Sequence, residues 1–337
     1  MAVGGDNIMR YTYRGEVGER IPREATHITM GEDVTFVRAQ AFARHPNIIE
    51  VIFKRVGKIE EEAFRGCPNL RRVIMPGVKI VELCAFNCST SLTDVECGKL
   101  EIIRQAAFGC CGSLRSINLP SARIVGRAAF NTCRALVDAK FGSNLERIGS
   151  VVFFNCPSLE RITIPLKDGL FTTDDTFQEC ENLNQVHLLE GEVHETIAAL
   201  QLEEWRNDMN RVIDSINHIL PNASAGRWSN DGEKAQAIRR WIRSVLHKII
   251  YYQAEHQHVL DVSATTLKLA LPHDIVNRSV LPFLELPSHT FELAEGGNED
   301  EDEASESSSE EEESGGMEEE SSNDDEIPSK RQRIQDR

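Results

Sequence analysis

The sequence predicts an α+β chain: a solenoid of about seven coils of 22–24 residues stacked into a parallel strand ladder, then an α-helical hairpin, then a disordered acidic tail. Three observations carry this. Phenylalanine recurs at 42, 64, 86, 108, 130, 153 and 177 with matching apolar residues around it. From Glu192 the apolar period changes to helical spacing. Between Glu299 and Glu326 stand sixteen acidic residues and no basic ones. At 337 residues the chain is long for one core, so several structural units are expected.

The repeat is read column by column. Ala precedes Phe at 41, 63, 85, 107 and 129, with Val152 and Thr176 in the last two copies. Five residues before Phe stand Val37, Ile59, Val81, Ile103, Val125, Ile148 and the polar departure Thr172. Six after Phe come Ile48, Leu70, Leu92, Leu114, Leu136, Leu159 and Leu183. Nine after come Val51, Val73, Val95, Ile117, Ala139, Ile162 and Val186, and two further on Phe53, Met75, Cys97, Leu119, Phe141, Ile164 and Leu188. A single coil cannot bury such a face alone, so the columns must stack on one another. Segments such as LRRVIMP and LERITIP alternate with period two and end at a turn residue, which predicts one short strand per coil.

Side chains eight and ten residues after Phe then point away from the core and form the candidate partner-binding face. The first column reads Glu50, Arg72, Asp94, Ser116, Asp138, Arg161 and Gln185. The second reads Ile52, Ile74, Glu96, Asn118, Lys140, Thr163 and His187. The mixed signs suit a protein or peptide partner and not a phosphate backbone. Ile52 and Ile74 form either a small apolar anchor or a patch covered by the lead-in, residues 1–26.

The motif I-x-x-x-A-F-x-x-C-x-x-L-x-x-V-x-I-P, seen in IEEEAFRGCPNLRRVIMP, resembles the BspA-type leucine-rich repeat over residues 27–190. The resemblance implies a curved or ribbon-like solenoid that binds proteins without specifying which, since a shared scaffold is not a shared site.

Nothing in the sequence points to catalysis, so the chain reads as non-enzymatic, with no cofactor. It contains no phosphate-binding glycine loop, nucleophile elbow or H-E-x-x-H. Cys67, Cys111, Cys133, Cys156 and Cys180 all lie three residues after Phe, so they read as buried packing residues of one column and not as metal ligands. His256 and His258 face different sides of a helix, so no metal is expected there either. No secretory leader and no run of eighteen apolar residues occurs, which predicts an intracellular chain, cytoplasmic or nuclear, with free thiols. Removing the acidic run and the net +3 of the last eleven residues from the total of −17 leaves −4 for residues 1–298, so neither nucleic acid nor an anionic membrane is an expected partner.

Residues 191–294 read as a helical domain. Ala198, Leu202, Trp205, Met209, Val212, Ile216 and Ile219 set a seam for a helix over about 193–219. Ile238, Ile242, Val245, Ile249, Tyr252, His256 and Val259 set a second over about 233–260, with a short third helix near 264–270. PNASAGRWSND between them allows an antiparallel hairpin, and the same seams would allow a coiled coil with another chain. LPHDIVNRSVLPFLEL, residues 271–286, resembles the opening of an F-box, which implies a ubiquitin-ligase substrate adaptor; its spacing and Pro282 depart from that pattern. Residues 295–337 are expected to be disordered, with Ser307, Ser308, Ser309, Ser321 and Ser322 each three positions before an acidic residue and with a basic KRQR near the end. The layout of repeats followed by an acidic tail resembles the acidic leucine-rich nuclear phosphoproteins, which implies histones or other basic proteins as alternative partners. Oligomeric state is left open.

Overall fold

The computed structural model describes residues 8–189, 191–200, 203–223, 232–283 and 290–294. The predictions for the acidic tail fall outside these residues.

The main ladder is built from nine strands: β1 (Arg10–Tyr13), β2 (His27–Met30), β3 (Glu50–Ile52), β4 (Arg72–Ile74), β5 (Asp94–Glu96), β6 (Ser116–Leu119), β7 (Asp138–Phe141), β8 (Arg161–Ile164) and β9 (Gln185–Leu188). All pairings are parallel, with Glu50 opposite Arg72 and Asp138 opposite Arg161. Hydrogen bonding runs through β1–β5 and through β6–β9 and is interrupted between β5 and β6. Two features differ from the sequence reading. The lead-in supplies an extra rung, β1, beside β2, so residues 10–13 extend the ladder and do not lie over Ile52 and Ile74. Six of the seven coils also carry a second strand: Phe36–Val37, Lys58–Ile59, Ile80–Val81, Ile102–Ile103, Ile124–Val125 and Arg147–Ile148 form their own six-stranded parallel ladder, and the seventh adds only a bridge from Phe171 to Ile148. At two residues each, these strands are too short to show a period-two pattern.

The arc around each Phe forms the third side. In the first six coils the residues two before and two after Phe take left-handed φ, for example Gln40 (58°) and Arg44 (58°), or Cys84 (53°) and Cys88 (60°), and in the last coil only Glu179 does (59°). That conformation costs a non-glycine residue about 1–2 kcal/mol. It is offset because the alternation aims successive N–H groups at the next coil: Gln40, Phe42 and Arg44 donate to the carbonyls of Glu61, Ala63 and Arg65 at 2.9, 2.8 and 2.7 Å.

Inside, the seven Phe rings form one continuous stack, with centroids 4.7–5.8 Å apart and planes within 2–9° of parallel. Tyr13 of β1 closes one end edge-on to Phe42 at 5.0 Å, and Phe171 meets Phe177 at the other at 5.4 Å. The cysteine column is buried, as its spacing predicts, and it also hydrogen-bonds. Cys67, Cys111, Cys133, Cys156 and Cys180 each donate the thiol to the Phe carbonyl of the preceding coil at 3.0–3.3 Å, and Ser89 does so with its hydroxyl at 2.9 Å. Reading these residues as small hydrophobes alone therefore misses their donor role. Burial pushes the Cys67 and Cys156 thiols up to about 12, so they stay protonated. At Gly142 the Pro120 carbonyl oxygen lies 1.9 Å from where a Cβ would stand, so this turn admits no side chain.

The helices begin directly after β9. The helix expected over 193–219 is two helices, α1 (Glu192–Ala199) and α2 (Glu203–Ile219); at Leu200 the backbone leaves the helical region (φ −69°, ψ 85°) and the side chain is fully buried. α3 runs over Glu233–Ala270 and absorbs the short helix expected at 264–270, because no Gly or Pro interrupts the chain before Leu271-Pro272. α2 and α3 pack as an intramolecular hairpin through Met209, Ile216, Ile242, Val245 and Ile249, with Trp241 Nε1 donating to the Val212 carbonyl at 2.8 Å. Val259, Val262 and Leu269 on the outer half of α3 are exposed. Of the F-box-like segment, His273–Ile275 is a short helix, α4, followed by a π turn over Val276–Val280, and Val276 is buried.

The hairpin also closes the free edge of the solenoid, where an open strand would otherwise expose its backbone. Asn217 Oδ1 accepts from the Val186 N–H of β9 at 3.0 Å. Lys234, 5% exposed, donates its ammonium to the carbonyls of Cys180, Glu181 and Leu183 at 2.8, 3.1 and 3.0 Å. Arg239 pairs with Asp174 at 2.6 Å and Arg243 with Asp168 at 3.1 Å.

Within the hairpin, Asp208 accepts from Lys248 Nζ and Tyr252 Oη, each at 2.6 Å, and these hydrogen bonds hold its pKa below the usual 3.8. A carboxylate with a depressed folded pKa contributes stability that is present above 3.8 and is lost as pH falls through the lower folded value. Trp205 stacks on Tyr252 at 4.9 Å and reports on this contact. Near-ultraviolet circular dichroism should therefore show the stack loosening below pH 3.8, and Asp208→Asn should remove that pH dependence. A titration identical in the variant would contradict the assignment.

Candidate functional site

The outward residues of the main ladder form one surface because parallel pairing without slip puts each coil's outward positions beside those of the next. Arg72, Asp94, Ser116 and Gln185 of the first column are exposed, and Glu50, Asp138 and Arg161 are half-buried. In the second column Glu96, Asn118, Lys140 and His187 are exposed, while Ile52, Ile74 and Thr163 are half-buried. Ile52 stands opposite Ile74 in the register, so the two form a neighbouring apolar pair. Sequence reasoning began the columns at Glu50, but register extends them to His27 and Thr29 on β2 and to Arg10 and Thr12 on β1. The polar-apolar alternation in RYTY and HITM is the signal that could have found them.

Charge on this face is organised, not evenly mixed. Arg72 is the centre of a carboxylate cluster, 3.6 Å from Glu50, 3.3 Å from Asp94 and also paired with Glu96. These neighbours raise the Arg72 pKa, the Glu96 hydrogen bond most of all. The cluster has three carboxylates to one guanidinium, so this part of the face is net acidic. Toward the other end Lys140 lies 3.4 Å from Asp138, with Arg161 on the next strand and His187 beyond it. From β3 to β8 the face thus passes from net acidic through the neutral Ser116 and Asn118 to Lys140 and Arg161, which outnumber Asp138, while Arg10 stands beyond the acidic cluster on β1.

Among the described residues no three His, Cys, Asp or Glu side chains are grouped to hold a metal, and no helix is long and apolar enough to cross a membrane. A parallel-strand solenoid of about seven turns carrying such a face is the architecture of a repeat protein. Its family is shown directly: a BspA-type leucine-rich repeat region matches in six copies over residues 23–133 and 101–203, and the chain belongs to that family. Among solved structures, it is similar to a leucine-rich repeat protein of T. pallidum at 30% identity, covering 41% of this chain and 69% of that one with a TM-score of 0.38. It is also similar to a leucine-rich cell surface protein of Faecalibacterium prausnitzii (20% identity, 50% of this chain, 61% of that one, TM-score 0.26). A leucine-rich repeat protein of Bacteroides ovatus matches at 19% identity, with 49% and 69% of the two chains covered and a TM-score of 0.28. No curated protein matches the chain.

Proposed function

We propose that the chain is a non-enzymatic scaffold whose main strand face holds a protein partner. The observation that carries this is the change of charge along that face from β3 to β8, from the Arg72-centred carboxylate cluster to Lys140 and Arg161. The complementary partner is a segment with basic residues at one end and acidic residues at the other, laid across the strands, and the half-buried Ile52 and Ile74 give it an apolar contact. The helical hairpin, packed on the last coil, serves as the terminal cap that repeat solenoids require.

A full-length pull-down tests the reading. Lys140→Glu and Arg161→Glu together should weaken a captured partner at least tenfold, about 1.4 kcal/mol, and make the residual binding less sensitive to salt. Unchanged capture by a folded double variant would remove the strand face as the site. A second reading rests on the sixteen acidic residues between Glu299 and Glu326, which suit histones or other basic proteins. In that case a chain ending at Gly297 would lose its partners while the strand-face variant kept them.

A further inference from the structure

We propose that Cys88 and Cys110 form a redox site, a dithiol that a hydroperoxide oxidises to a disulfide joining two neighbouring coils. The two residues occupy the same position, two after Phe, on successive coils, and both take left-handed φ, 60° and 59°. The Cys88 N–H donates to the Gly109 carbonyl at 2.8 Å, which fixes the two arcs in register. Equivalent positions on adjacent rungs lie about 4.8 Å apart, inside the Cα range that a disulfide spans. Cys88 is exposed and Cys110 partly so, which gives an oxidant access.

The surroundings fit the chemistry. Burial raises the Cys110 thiol above its usual pKa, so the exposed Cys88 is the thiol that meets the oxidant first. Asn87 Oδ1 accepts the Cys88 thiol proton at 2.9 Å. Elsewhere the position two after Phe holds Arg44, Gly66, Thr132, Asn155 and Glu179, so only these two coils bring thiols together there. The buried column one residue further on also stacks cysteines, but each donates to a backbone carbonyl and is closed to solvent.

The step balances without a cofactor. The Cys88 thiolate attacks one peroxide oxygen; an S–O bond forms, the O–O bond breaks, and an alcohol leaves, or water when the oxidant is hydrogen peroxide. The Cys110 thiolate then attacks Cys88 Sγ, forming the S–S bond and expelling the oxygen as water. Two thiols are oxidised by two electrons, and one hydroperoxide is reduced.

The test treats the folded full-length chain with hydrogen peroxide, then alkylates it and maps the peptides. The expected result is a mass loss of two hydrogens, a linked pair of peptides containing Cys88 and Cys110, reversal by dithiothreitol, and a melting temperature raised by several degrees. Cys88→Ser and Cys110→Ser should each abolish the link, and Cys84→Ser should retain it. Cys88→Ala serves as a second variant, with circular dichroism under reducing conditions confirming that each protein is folded. Three outcomes would overturn the proposal: Cys88 oxidised to a sulfur acid while Cys110 still alkylates, a bridge through Cys84, or a link formed only between two chains.

Discussion

Phe108→Ala is expected to lower the unfolding free energy by about 3–5 kcal/mol. Phe108 is 0% exposed and lies between Phe86 at 5.2 Å and Phe130 at 5.5 Å, near the middle of the stack. The cavity left by the ring cannot easily close, because the coils on both sides are held at fixed spacing by backbone bonds such as Phe86 N–H to Ala107 O and Phe108 N–H to Ala129 O. In a solenoid each coil is stabilised by its neighbours, so weakening a central interface also uncouples the two halves. Denaturant unfolding should show a lower midpoint and a broadened or split transition. Phe36→Ala, at a ring 37% exposed and outside the stack, should change stability far less. If both variants lost under about 1 kcal/mol, the stack would not be the element that couples the coils.

Lys234→Met is expected to cost about 3 kcal/mol and to act locally. Methionine keeps most of the aliphatic stem, so packing is largely conserved, while the carbonyls of Cys180, Glu181 and Leu183 lose their shared donor. Each buried acceptor left unpaired costs about 1–3 kcal/mol, partly recovered where water can enter. Burial already lowers the Lys234 pKa from its usual value, a sign of how closed the site is. The loss should appear first as faster amide exchange in residues 183–189 and at the start of α3, with the central coils still protected. Arg123→Ala offers the contrast: its side chain and that of its partner Glu146 are 49% and 42% exposed, and removing that pair should cost under about 1 kcal/mol. Unchanged exchange at residues 183–189 in Lys234→Met would mean that the hairpin is held by its apolar contacts alone.

Much of this molecule was legible because a stacked core repeats its chemistry. Phe42 through Phe177, the Ala before them and the Leu six after them are set by one requirement, that each coil fill the same space against the next, and a requirement repeated seven times leaves a visible period. The outward columns from Glu50 to His187 follow from the same register. The helical seams were legible in part for a related reason: α2 buries Met209 and Ile216 and α3 buries Ile238, Ile242, Val245 and Ile249, while Ile219 and Val259, read into the same seams, are exposed.

What was not legible depends on single contacts between parts of the chain far apart in sequence. Lys234 reads as a solvated helical lysine until its helix is docked on carbonyls about fifty residues away. Arg72 reads as one charge in an alternating column until the strands bring Glu50, Asp94 and Glu96 around it. Cys88 and Cys110 share the position two after Phe on successive coils, but that they are open to solvent while the neighbouring cysteine column is closed is decided by the turn of the arc. The coil, its period and its inward and outward faces are written in the residues themselves, because burial acts on every repeat alike. The left-handed arcs, the second ladder and the capping lysine emerge only once the coils are stacked and the helices docked, because hydrogen bonds and side-chain contacts depend on distances that no period encodes.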